Sequence, residues 1–288
     1  MPLLSYTRMV SATQIAQNLA FINWTVLTGL ALGTYAAVIL LRRRSQATRG
    51  YLGFTTVCAI GFGLLAWLSD GALPSSMGAS PVVLDATWDG PRHVALIAFC
   101  ALALAALLLR RARPTLAPLA ELVAVSAGLL TITFGALAWG GGSLGTLALL
   151  VELAVVCAAT GGVFAAMILG HWYLVTPKLP EAPLILLSRA LMAVVAIQVV
   201  LFVVWTAIGA GPAGVAPFAA LVGPWALFVW LRLIVGLAFP LVVSWAAVQT
   251  ARSRSMESAT GLLYINVGTI AAGTILAAGL YFGAGLLV

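Results

Sequence analysis

Polar residues interrupt this chain at long, regular intervals, and between them lie eight stretches that are apolar almost without a break. They fall at about 19–41, 51–69, 93–109, 117–139, 146–174, 185–208, 222–250 and 260–287. An α-helix needs roughly 20 apolar residues to cross a hydrocarbon layer about 30 Å thick. Strands of a porin wall would alternate apolar and polar positions, and these runs do not. The pattern predicts an all-α, polytopic integral membrane protein with eight transmembrane helices in a single transmembrane domain, residues 1–288. Most links are short ("GGGS", "RARPTLAP", "GAGPAGVAP", "ARSRSMES"), so consecutive helices should be antiparallel neighbours. The longest link, 70–92, is rich in turn residues and acids and reads as a solvated external loop. The first run is too long for the apolar core of a cleaved signal, and "LRRRSQATR" follows it as a stop-transfer sequence.

A faint internal echo accompanies this pattern. "GTYAAVIL" (33–40) and "GVFAAMIL" (162–169) agree at five of eight positions, on runs that cross in the same direction. A true repeat would favour a transporter or a molecule built as two four-helix bundles. Compositional bias toward Ala and Leu would give the same echo without one.

Composition agrees with the pattern. The chain is 63% hydrophobic and 7% charged, where soluble domains carry about 25% charged residues. A net charge of +7 would suggest a nucleic-acid partner for a soluble chain. Here the charge is sorted by side, so no nucleic acid is expected. Arg42, Arg43, Arg44, Arg49, Arg110, Arg111, Arg113, Lys178, Arg189, Arg252 and Arg254 cluster at one set of helix ends. Arg8 and Arg92 lie with Asp70, Asp85 and Asp89 at the other. The positive-inside rule makes the Arg-rich side cytoplasmic, with both termini outside, in a bacterial inner membrane.

Ionisable groups within the spans are the default site candidates, because lipid makes them costly. Glu152 and Arg232 fall by residue counting in one layer near the outer boundary, together with Asn23, Trp24, Trp139, Trp205, Trp225 and Trp230. One reading is a tryptophan belt with snorkelling charges. The other is a Glu152–Arg232 ion pair that clamps the fifth and seventh helices.

A second layer, near the Arg-rich side, contains Glu121, His171, Trp172, Tyr173, Arg189, Gln249, Ser258, Tyr264 and Asn266, with Tyr51 close by. Imidazole, phenol and guanidinium donors suit the carbonyls of a quinone headgroup. His171, Tyr173, Arg189, Tyr264 and Asn266 are therefore the candidate quinone-binding residues. The competing reading makes His171 the polar end of a helix, where free carbonyls favour a cation and where Trp and Tyr belong to the interface. Ser258, in "SMESAT", reads as the N-cap of the eighth helix.

Other chemistry finds little support. Asp85, Asp89 and His93 recur every four residues, but Gly90 and Pro91 should interrupt any helix there, and no metal site is assigned. The two histidines fall on opposite sides of the membrane and cannot both ligate one haem. Cys58, Cys100 and Cys157 stand singly in separate runs, as small apolar fillers. HExxH, Walker and nucleophile-elbow sequences are absent, so no catalytic residue is assigned and no covalently bound cofactor is expected. The expected function is a membrane subunit of a respiratory-type electron-transfer complex, with the lipid bilayer and other subunits as partners and a quinone as its ligand. A transporter of a small or lipophilic solute is the alternative, and an assembly scaffold without ligand is a third.

Overall fold

The computed structural model describes residues 12–78, 80–176 and 179–288, with side chains from residue 17 onward. Arg8 and Lys178, counted above in the charge asymmetry, lie outside the described residues. Among the described residues, eight helices are long and apolar enough to cross a membrane: α1 (Ala12–Arg44), α2 (Arg49–Asp70), α3 (Asp89–Ala112), α4 (Ala117–Trp139), α5 (Ser143–Val175), α6 (Ala182–Ile208), α7 (Ala226–Arg252) and α8 (Met256–Ala284). Large apolar side chains stand exposed around the circumference, Leu68 and Val242 at 62% each among them. A water-soluble surface does not carry so much exposed aliphatic area. This is a multi-pass helical membrane protein.

Small residues set the central contact. Without a hydrophobic drive between helices in lipid, close backbone approach supplies the packing. α1 lies against α5 where Gly33 meets Cys157 and Gly161; a Cβ on Gly33 would fall 1.8 Å from the Cys157 carbonyl oxygen. Thr34 donates to the Gly161 carbonyl at 3.2 Å, and Tyr51 of α2 donates to that of Ala165 at 2.9 Å. α1 also packs on α2 and α8, α3 bridges α2 and α4, and α5 to α8 contact one another in turn, with α8 returning to α5.

α7 is not a uniform helix. Pro240 has no N–H to donate and its ring crowds the carbonyl four residues back. The strain is taken up by a π turn at Ile234–Ala238, closed by Phe239 N–H on the Ile234 carbonyl. Gly236 in that turn crosses Gly273 of α8 so closely that a Cβ on either would fall within 2.7 Å of the other's Cα.

Three local expectations need correction. Gly90 and Pro91 do not interrupt α3: they sit in its first turn, where proline's missing N–H costs nothing. The N-cap position of α8 is Ser255, and Ser258 lies inside the helix, where its hydroxyl accepts from that of Ser255 at 2.9 Å. The 70–92 link is no loose solvated loop. Met77 and Val82 are buried, Asp85 N–H donates to the Ala138 carbonyl at 2.8 Å, and the Ser80 hydroxyl donates to the Phe282 carbonyl at 2.6 Å. The segment folds over its end of the helices. Residues 210–213 and 285–287 join it there, through Ala213 N–H on the Gly285 carbonyl and Leu287 N–H on that of Ala210.

Candidate functional site

The five residues named for a quinone headgroup share a depth but not a direction. A helix turns about 100° per residue, so His171 and Tyr173 face opposite ways, as do Tyr264 and Asn266. His171 and Tyr264 meet on the exposed surface, with Nδ1 and the hydroxyl 3.5 Å apart, at the limit of a hydrogen bond. Tyr173 turns inward and its hydroxyl donates to the Pro180 carbonyl. Asn266 is fully buried and donates to Ser244 Oγ at 2.8 Å, tying α8 to α7. Arg189 is exposed on α6. The His171–Tyr264 contact is the part of the expected cluster that comes together.

Glu152 and Arg232 do face each other. Glu152 Oε1 lies 3.4 Å from Arg232 Nη2, and its Oε2 accepts from Trp205 Nε1 at 3.3 Å. The guanidinium is 2% exposed, so it does not snorkel among Trp225 and Trp230, which are themselves exposed. Gly273 makes room for it: a Cβ there would stand 2.9 Å from Arg232 Nη1. Charge-assisted hydrogen bonds usually close to about 2.7–2.9 Å, so this pair is loose.

Two tighter clusters were not anticipated. At the end covered by the 70–92 segment, Arg92 is 2% exposed and donates from Nε to Asp70 at 2.6 Å and from Nη1 to Asp89 at 2.8 Å. His93 Nδ1 lies 3.1 Å from the second Asp70 oxygen. The guanidinium stands 4.8 Å from the Trp139 ring centroid and 6.0 Å from that of Trp24. Both tryptophans are buried, so they belong to this cluster and to no lipid-facing belt. Asp85 caps the 3-10 turn before α3 through Thr87 N–H, and hydrogen bonds from the Thr87 side chain and backbone hold its carboxyl below the ordinary range. Asp85, Asp89 and His93 thus take separate partners and do not converge, and the described residues contain no metal-binding group of three.

At the Arg-rich end, Glu121 of α4 is 1% exposed. It accepts from Arg42 of α1 and from Arg110 of α3, the latter at 2.7 and 2.8 Å. Glu181, just before α6, accepts from Arg254 at 2.7 Å, and that bond lowers its pKa. The sequence signals were present in both unanticipated clusters as unpaired acids near span ends. Their partners are fixed by tertiary packing alone.

A crevice is also present. Between α1, α4 and α5, a cavity of about 110 Å³ is lined by Tyr35, Phe99, Gly128, Ile132, Ala154 and Ala158 among others. Its walls are almost wholly apolar, and Leu129 on its rim is 55% exposed to the surface that lipid covers. Tyr35 is 1% exposed, and its hydroxyl has no hydrogen-bond partner among the described residues. Buried polar atoms are normally paired. Seven residues separate Tyr35 from Arg42, which puts the phenol about 10 Å inside the Arg-rich end.

No protein family, curated protein or solved structure matches the chain.

Proposed function

We propose that the chain is a membrane subunit of a bacterial electron-transfer complex, and that it holds a quinone headgroup in the lipid-open crevice between α1, α4 and α5. The observation that carries this reading is Tyr35, which lines the apolar crevice and whose buried hydroxyl has no hydrogen-bond partner among the described residues. A quinone carbonyl supplies the missing acceptor, and the apolar walls suit its ring and isoprenoid tail. The exposed His171–Tyr264 contact is the second candidate for the headgroup.

Several features argue against a polar-solute transporter. The buried carboxylates Asp70, Glu121 and Glu152 are each paired with arginine, and the folded 70–92 segment covers one end. The π turn of α7 is the observation that favours the transporter alternative, since broken helices recur in such proteins. It is occupied by the Gly236–Gly273 crossing and Arg232, which leaves a structural role for it. In this reading the Arg-rich end is cytoplasmic, both termini are outside, the membrane is the bacterial inner membrane, and α1–α4 and α5–α8 are two bundles that meet at Gly33 and Gly161.

The test is photolabelling of the detergent-purified protein with an azidoquinone. Label should map to the crevice. It should drop several-fold in Tyr35→Phe and in Ala158→Leu, which fills the cavity, while Tyr35→Phe leaves thermal stability unchanged or raised. Label that ignores both substitutions would remove the crevice from consideration. Label on His171 and Tyr264, lost in His171→Ala, would move the site to that surface.

A further inference from the structure

A second cavity, independent of the quinone reading, opens at the Arg-rich end between α1, α2 and α3. It has a volume of about 800 Å³ and is lined by Arg42, Arg49, Arg110 and Arg111, with Leu52 and Leu107 as its apolar wall. Arg42 and Arg110 share the single Glu121 carboxylate, while Arg49 and Arg111 are exposed and have no ion pair among the described residues. Four guanidiniums against one carboxylate leave three positive charges around one cleft. The N-terminus of α2 adds to them. Thr48 caps Tyr51 N–H, and the N–H groups of Arg49 and Gly50, in the first turn, have no helical carbonyl four residues back and point out of the helix end. Gly50 and Gly53 line the same cleft without side chains, and a Cβ on Gly53 would meet nothing within 4 Å.

We propose that this cleft binds the phosphate headgroup of an anionic phospholipid. Bidentate guanidinium donors and a helix N-terminus are the groups that recognise phosphate. The choice of a lipid over a soluble anion rests on the surroundings. Leu104 and Leu108 precede the cleft residues Leu107 and Arg111 by three positions on α3 and are 45% and 58% exposed, so an apolar surface for acyl chains continues along that helix from the basic one. An excess of three positive charges suits a lipid with two phosphates, such as cardiolipin, better than one with a single phosphate. Glu121 acts as a positioning residue, since it holds two of the four arginines in a fixed fork.

The experiment is titration of the detergent-purified full chain with cardiolipin, followed by native mass spectrometry and by thermal unfolding, with phosphatidylcholine as control. Cardiolipin should bind and raise the unfolding midpoint, and phosphatidylcholine should not. Each juxtamembrane basic residue contributes about fivefold in affinity, so Arg49→Gln with Arg111→Gln should bind roughly 30-fold more weakly. Neither residue is needed to neutralise a buried acid, so this variant should fold. Arg43→Gln with Arg44→Gln, at the same end but outside the cleft, should bind cardiolipin like the parent. Equal losses in both double variants would mean diffuse charge attraction and overturn the site, as would undiminished binding in the first. Inorganic phosphate that displaces cardiolipin and gives the same thermal shift would assign the cleft to a free anion. An acidic polypeptide that binds through Arg49 and Arg111 while cardiolipin does not would assign it to a protein partner.

Discussion

Arg92 and Arg232 are both 2% exposed, yet they are held very differently. Arg92 has two carboxylates within 2.8 Å and two indole faces beside it, whereas the nearest carboxylate oxygen to Arg232 is at 3.4 Å. Removing one member of a buried pair strands the other charge, at a cost of about 3–5 kcal/mol. The looser pair has less attraction to lose, so Arg92→Gln should lower the unfolding midpoint in detergent more than Arg232→Gln. In each cluster the double variant (Asp70→Asn with Arg92→Gln, or Glu152→Gln with Arg232→Gln) should lose less than the sum of its parts, because the second change removes the stranded charge. Strict additivity in the second cycle would show that Glu152 and Arg232 do not act as a pair. Counting along the sequence placed Glu152 and Arg232 at one depth, and depth was enough because both happen to face inward. It was not enough for Arg92, whose partner Asp70 lies 22 residues away across a folded segment. Nor was it enough for the five quinone candidates, whose directions around their helices differ.

At the level of the helix, glycine decides which pairs approach. Gly33 and Gly161 bring α1 and α5 into backbone contact, and a Cβ on Gly161 would fall 2.1 Å from Thr34 N. Neither neighbour is the flexible end of a side chain, so the helices themselves would have to separate. Overpacking of this kind costs about 1–3 kcal/mol or more. Gly33→Ala and Gly161→Ala should therefore each lower the unfolding midpoint and the folded fraction on size exclusion. Gly61→Ala is the control, since its Cβ meets nothing within 4 Å. Alanine there should be neutral or stabilising through helix propensity, worth up to about 1 kcal/mol. Equal melting of Gly33→Ala and Gly61→Ala would refute the close-contact argument. Eight helices and their approximate limits were legible from hydropathy because lipid demands a continuous apolar run of fixed length. The interruption of α7 was visible only as Pro240. Its form, a π turn seated on Gly273 of another helix, depends on a crossing that no local pattern encodes.

Across the whole molecule, charge and covering are distributed oppositely. One end carries the clustered arginines, the open basic cleft and short links; the other is closed by the 70–92 segment, by the 285–287 pairing and by the buried Asp70–Arg92 cluster. Arginine is retained on the cytoplasmic side during insertion, so the proposed orientation has Ser45 and Ser253 inside and Ser76 and Ser143 outside. In a background without the three native cysteines, single cysteines at these four positions convert that orientation into a labelling pattern. Ser45 and Ser253 follow directly on α1 and α7, and Ser76 and Ser143 are exposed at the opposite end, so each should be reachable from one face. Cysteines at 76 and 143 should react with a membrane-impermeant maleimide on intact cells. Those at 45 and 253 should react only after permeabilisation. Burial is not a confounder for the outer pair, because neither serine donates or accepts a side-chain hydrogen bond among the described residues. Ser45 is half-buried and its Oγ donates to the Leu41 carbonyl at 2.7 Å, so a cysteine there should label more slowly than one at 253 once access is given. The reverse pattern would invert the molecule in its membrane, placing the basic cleft against the outer leaflet and the covered end in the cytoplasm. A mixed pattern would mean that at least one of the eight helices does not cross.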